Sequence, residues 1–129
     1  MPQDRLKSWE SILKSRRMYS DWHRNALPNW CYMTDGDWFE QRFKSGILTT
    51  VAYIETIGVP APSIRNSDID YPIWSSKESL CVEIEKKMHI PSYVVWCNED
   101  CTKFLVKSPL RGDRREMTSQ QYIIFLKNL

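Results

Sequence analysis

The chain has 129 residues, 42% of them hydrophobic and 26% charged, with a net charge of +2. That composition excludes a wholly disordered chain and is long enough to bury a core of its own. No apolar run approaches the length of a membrane span, and no signal-peptide core follows the N-terminus, so one cytoplasmic domain over 1–129 is expected. Charge is unevenly spread: residues 1–24 carry +3, residues 25–80 carry −3 and residues 81–129 carry +2. An acidic middle between basic ends suits a cation site flanked by anion-attracting surfaces.

Residues 4–24 place Leu6, Trp9, Ile12, Leu13 and Met18 at roughly helical spacing, with Arg16, Arg17 and Arg24 on the wet side. Pro28 ends that helix. Trp30–Met33 reads as a short strand, Asp37–Phe43 as a second and Ile47–Ile54 as a third, rich in β-branched residues. Lys44-Ser45-Gly46 between the last two fits a three-residue hairpin loop. Residues 58–74 hold too many Gly, Pro and Asn residues for a regular element. A helix from Ser75 or Ser76 to about His89 follows, with Leu80, Ile84 and Met88 on one face. Strands at 92–96 and 103–107, a charged loop at 108–116 and a helix capped by Thr118 or Ser119 complete the chain. The order αβββαββα gives an α/β domain, a central mixed β-sheet flanked by helices.

The chemistry concentrates in Asp35-Gly36-Asp37 and Glu55. With the three-residue loop, Phe43 pairs with Ile47, Asp37 with Tyr53 and Asp35 with Glu55. Paired residues share a face, as do residues two apart, so the three carboxylates gather on one side of the sheet. A hard divalent cation relieves the repulsion among them. A two-residue loop moves Glu55 to the other face.

Asp37 on one strand, with Ile54-Glu55-Thr56-Ile57 ending the next, resembles the PD-(D/E)XK nuclease superfamily, and the order of elements over residues 5–107 follows the restriction-endonuclease-like fold. The resemblance implies a metal-dependent nuclease in which Asp37 and Glu55 are catalytic and bind Mg²⁺, or Mn²⁺ in its place, with Asp35 as accessory ligand. It implies nucleic acid as partner, DNA ahead of RNA. Arg16, Arg17 and Arg24 are the backbone contacts in this reading. The chain departs from the motif at Ile57, where the family carries a lysine. Either the lysine has migrated, with Lys44, Lys77 and Lys86 as candidates, or the metal suffices without it, or the domain is a degenerate module that binds nucleic acid or protein without cleaving. A homodimer through exposed aromatics belongs to that last class.

Other signals are weaker. The aromatics Trp9, Tyr19, Trp22, Trp30, Tyr32 and Trp38 can stack bases but read first as core residues. Cys97 and Cys101 form a CxxxC, yet Cys31, Cys81, His23 and His89 supply no second zinc pair, so free, mostly buried thiols are expected. Arg111-Gly112-Asp113 is followed by Arg114 and Arg115, a second small basic spot. Asp68 and Asp70 read as solvated, although Asp68 reaches the site if its loop folds back, and nucleotide-binding glycine motifs are absent.

Overall fold

The computed structural model describes residues 8–31, 36–70 and 75–129. The chain divides into two compact units, Met1–Asp35 and Gly36–Leu129.

The described part of the first unit is dominated by one helix, α1 (Trp9–Ala26). It begins where Ser8 caps it: the Ser8 hydroxyl accepts from the Ser11 N–H at 3.1 Å. Trp9, Leu13, Met18, Tyr19 and Trp22 are all exposed, and so is Trp30 beyond the helix end. The reading of these aromatics as core residues is therefore corrected; Tyr32 lies outside the described residues. The expected strand at 30–33 is not found where it is described, because Trp30 sits in a turn and Cys31 in a bend, while Tyr32 and Met33 lie outside the described residues.

The second unit is α/β. Its elements are β1 (Trp38–Lys44), β2 (Ile47–Gly58), the short α2 (Asn66–Ile69), α3 (Ser75–Met88), β3 (Ser92–Cys97), β4 (Lys103–Lys107), β5 (Arg114–Thr118) and α4 (Ser119–Lys127). The five strands form one mixed sheet in chain order. The β2–β3 pair is parallel and the others are antiparallel. A parallel pair needs a crossover, and α3 provides it. Helix α3 packs on one face, where Tyr53, Ile57, Val94, Trp96 and Leu105 meet Cys81, with Leu80 and Ile84 at the margin. Helix α4 packs on the other, where Ile54, Val95, Val106 and Met117 meet Tyr122, Phe125 and Leu126. Alternate residues of β2 and β3 thus feed two different cores, as the pleat requires. Among the described residues no helix is long and apolar enough to cross a membrane.

Several expectations change. Residues 108–116 are not all loop: β5 pairs with β4 from Lys107↔Arg114 to Lys103↔Thr118. The irregular 58–74 stretch contains α2, capped when Asp68 Oδ2 accepts from the Arg65 N–H at 2.8 Å. Met88 is exposed rather than part of the α3 face. Of the thiols, Cys81 is buried, Cys31 and Cys97 are half-buried and Cys101 is exposed. The expected cap of α4 is present, with the Thr118 hydroxyl accepting from the Gln121 N–H and the Gln121 side chain returning to the Thr118 N–H.

The β1–β2 hairpin sets the phase of everything downstream. Its turn has two residues, not three: Lys44 pairs with Ile47, and Ser45 and Gly46 both take positive φ, +53° and +77°. Two left-handed residues make the turn whose twist matches the strands. Continued unbroken, this register would set Asp37 beside Ile54 and send Glu55 to the opposite face. A bulge intervenes. Gln41 pairs with Thr50 but Glu40 pairs with Ala52, so Val51 is an extra residue on β2. Beyond it Phe39 pairs with Tyr53 and Trp38 with Ile54, which brings Asp37 level with Glu55.

Candidate carboxylate–lysine site

Glu55 sits near the end of β2, on the α3 face, between Tyr53 and Ile57. Its relative exposure is 1%. A carboxylate there must be fully partnered, because an ionised group without partners in such surroundings is far too costly. The chain supplies two partners. The Tyr53 hydroxyl donates to Glu55 Oε1. The Lys77 ammonium donates to Glu55 Oε2 at 2.9 Å.

Lys77 reaches this point because of helix periodicity. It lies one turn ahead of Cys81, whose side chain is buried against the sheet, so both project from the same side of α3. The Lys77 side chain remains 31% exposed, and that of Asp37 30%. Glu55 is thus the dry wall of the site, and Lys77 and Asp37 form its open side.

Asp37, just ahead of β1, is fixed by β2. Its Oδ2 accepts from the Thr56 N–H at 2.9 Å and from the Thr56 hydroxyl at 3.3 Å, and Lys77 Nζ stands 3.9 Å away. The Asp37 N–H donates to the Tyr53 hydroxyl at 3.0 Å. One phenol therefore ties both acidic residues together, accepting from the Asp37 main chain and donating to the Glu55 side chain. Trp38 Nε1 closes the rim by donating to the Thr56 hydroxyl at 3.3 Å.

The electrostatics follow. Burial alone would raise the Asp37 carboxyl. The Thr56 N–H and the Lys77 charge oppose it, and Asp37 is held below the usual aspartate range. Burial likewise works against the charge on Lys77, but its hydrogen bond to Glu55 and the two carboxylates outweigh that and hold the ammonium above the usual lysine range. Burial, then the bond to Glu55, push the Tyr53 hydroxyl up, so it stays a donor. Close by, burial lifts the Cys81 thiol to about 12, which makes it inert as a nucleophile at neutral pH.

Gly36 is where this arrangement touches the preceding backbone. A Cβ there would stand 3.0 Å from the Tyr53 hydroxyl oxygen. Tyr53 is fully buried and held by Asp37 and Glu55, so it has no room to yield. Gly36→Ala is expected to cost about 1–2 kcal/mol of stability, read by urea unfolding. A neutral substitution would show that the phenol is not held in place.

Of the residues singled out in the sequence, Asp37 and Glu55 come together, and Lys77, one of three candidate lysines, joins them. Lys44 lies at the turn end of β1, and Lys86 is exposed further along α3. Asp35 lies outside the described residues. Asp68 does not approach the site: it caps α2, and its main-chain oxygen accepts from Trp96 Nε1 at 3.1 Å. Asp70 pairs with Arg114. Arg17 and Arg24 lie on α1, Arg24 in an exposed pair with Asp21 at 3.9 Å; the Arg16 side chain lies outside the described set. Tyr53 and Thr56 were not singled out as functional. The signal for Tyr53 was present in the alternation of β2, which puts it on the face of Glu55.

Among the described residues no group of three or more His, Cys, Asp and Glu side chains assembles around a point. Among the described residues the acidic donors of the site are two, Asp37 and Glu55. These are hard oxygen donors converging on one ammonium, which is the donor chemistry of a hard divalent cation. Each carboxylate oxygen has two acceptor positions, so Tyr53 and Lys77 leave room on Glu55 for a further partner. Comparison with family models, curated proteins and solved structures returned no significant match.

Proposed function

We propose that this chain is a metal-dependent nuclease of the PD-(D/E)XK type, with a restriction-endonuclease-like fold, whose lysine is carried by α3 instead of the motif position. The observation that carries this reading is the placement of Lys77 Nζ, 2.9 Å from Glu55 and 3.9 Å from Asp37. Ile57, where the motif has its lysine, is a core residue; the charge arrives from the helix facing it.

In this reading Asp37 and Glu55 would hold Mg²⁺, or Mn²⁺ in its place. Bound there, the cation supplies a polarised phosphate oxygen and a water of lowered pKa. The chain's own groups do the rest. Lys77, charged at neutral pH, donates hydrogen bonds and positive charge toward an anionic phosphate on the open side; it does not act as a base. Tyr53 and Thr56 fix the rotamers of the two carboxylates, so that little reorganisation is needed when charge develops. The substrate is nucleic acid, DNA ahead of RNA.

A second reading is favoured by the engagement of both Glu55 oxygens, each of which already accepts a hydrogen bond within the chain. Here the Lys77–Glu55 pair is structural, and the domain binds nucleic acid or protein without cleaving. Cleavage of a DNA and RNA panel in Mg²⁺ and Mn²⁺ separates the two. The nuclease reading expects cutting that Asp37→Asn lowers at least about 100-fold, with the fold retained. No cutting under any condition, alongside salt-dependent binding, would establish the inert module.

A further inference from the structure

The opposite face of the sheet carries a second polar feature, at the end where β3, β4 and β5 meet α4. A cavity of about 480 Å³ is lined there by Tyr93, Ser108, Arg111, Asp113, Arg114, Arg115 and Phe125. One of these groups is buried and unpartnered, and another is an exposed guanidinium without an ion pair. Ser108 is 4% exposed, and among the described residues its Oγ is the buried side-chain oxygen or nitrogen without a hydrogen-bond partner. The Arg115 guanidinium has no ion pair among the described residues, whereas Arg111 binds Glu85 at 2.9 Å and Arg114 binds Asp70 at 3.5 Å.

Buried hydroxyls without partners are costly and uncommon. One in a residue that lines the same cavity as an unpaired guanidinium calls for a ligand that accepts from both. The loop holds the two in fixed relation: the Ser108 N–H donates to the Asp113 carbonyl at 2.8 Å, and the Gly112 N–H donates back to the Ser108 carbonyl at 2.7 Å. Gly112 makes this possible with φ +79°. Arg111 lies over the Tyr93 ring, 5.8 Å from its centre, and donates one amino group to the Tyr93 hydroxyl at 3.4 Å. That leaves several of its five N–H donors uncommitted. Tyr93 and Phe125, edge to face at 5.1 Å, supply an apolar wall.

The geometry points to a phosphate-binding site in this cavity, in which Ser108, Arg115 and Arg111 donate to the oxygens of a phosphate ester. A tetrahedral, multiply charged anion accepts from a hydroxyl and two guanidinium forks at once, which chloride and a single water do not. The Asp113 and Glu85 carboxylates nearby disfavour purely diffuse anion attraction, so binding depends on the directed donors. The site lies across the sheet from Asp37 and Glu55 and does not depend on the nuclease reading.

The test is calorimetric titration of the full chain at low ionic strength, in chelator so that no cleavage intervenes. Inorganic phosphate, a 5′-mononucleotide and the matching nucleoside are the probes. Phosphate and nucleotide are expected to bind in competition, and the nucleoside is not. Ser108→Ala is the decisive variant. Removing an unpartnered buried hydroxyl leaves stability unchanged or raises it, while phosphate affinity falls at least about tenfold. Arg115→Ala lowers affinity similarly and Arg115→Lys restores part of it. An oligonucleotide without terminal phosphates that displaces inorganic phosphate identifies a nucleic-acid backbone as the source. One that fails to displace it, while the mononucleotide does, identifies a small phosphate ester. The proposal is overturned if neither phosphate nor nucleotide binds, if the nucleoside binds equally well, or if Ser108→Ala and Arg115→Ala leave phosphate affinity unchanged.

Discussion

Lys77→Met is expected to lower the stability of the chain by about 3 kcal/mol and, under the nuclease reading, to reduce cleavage at least about 100-fold. The stability loss arises at Glu55. Its carboxylate is buried, and one of its two partners is the Lys77 ammonium at 2.9 Å. Without that cation the charge stays buried with only the Tyr53 phenol against it. Removing one member of a buried pair costs more than the pair is worth, because the survivor is left uncompensated. Glu55→Gln in the Lys77→Met background removes the stranded charge and is expected to recover much of the loss. The coupling between the two positions, from urea unfolding of both single variants and the double, should reach about 2 kcal/mol. Coupling near zero would mean that Lys77 and Glu55 do not form the pair described here. Cleavage is a separate readout: if Lys77→Met is destabilised yet cuts at the native rate at a temperature where it is folded, the pair is structural only.

Under the nuclease reading Ile57→Lys tests the motif position directly, and the expected result is loss rather than rescue. In sequence terms the substitution completes the motif that Glu55 begins. In the structure Ile57 is a core side chain, packed in the cluster of Tyr53, Val94, Trp96 and Leu105 under α3. Lysine there forfeits the burial of isoleucine and forces an ammonium into apolar surroundings. The combined cost is expected to be about 3–5 kcal/mol. The midpoint of thermal unfolding should fall by roughly 15 °C or more, with no gain in cleavage. An Ile57→Lys protein that keeps its stability and cuts faster than wild type would show that the motif position, not Lys77, is where the lysine belongs.

Much of this architecture is legible in the sequence because its signals are local. Alternation in β1 and β2, the β-branched run of β3 and the Thr118–Gln121 capping box of α4 need no knowledge of distant residues. What escapes is set by tertiary contacts. The strand β5, Arg-Arg-Glu-Met-Thr, is an edge strand with one buried residue, so its composition reads as loop. The exposed aromatics of α1 carry the composition of a core without being in one. The carboxylate pair is the instructive case. Expecting a three-residue turn puts Asp37 and Glu55 on one face. The chain reaches the same face by another route, a two-residue turn plus a bulge at Val51. Side-chain parity is blind to that difference, so the juxtaposition is legible although the register is not. The choice among Lys44, Lys77 and Lys86 needs the packing of α3 on the sheet, which periodicity alone does not orient.

The Val51 bulge also decides which changes of length the hairpin can absorb. Because Gln41 pairs with Thr50 and Glu40 with Ala52, a chain lacking Val51 keeps every one of these pairs and closes Asp37 against Glu55 as before. One residue is held in reserve, and deleting it straightens β2 without moving the acidic pair. Adding a residue has no such reserve and must widen the bulge or swing Glu55 to the far side. The separation of the two acids along the chain can therefore shrink by one without breaking the pairing, at the cost of the buried Val51 side chain, but not grow. A sequence pattern written with a fixed gap between them would pass over chains that build the same site.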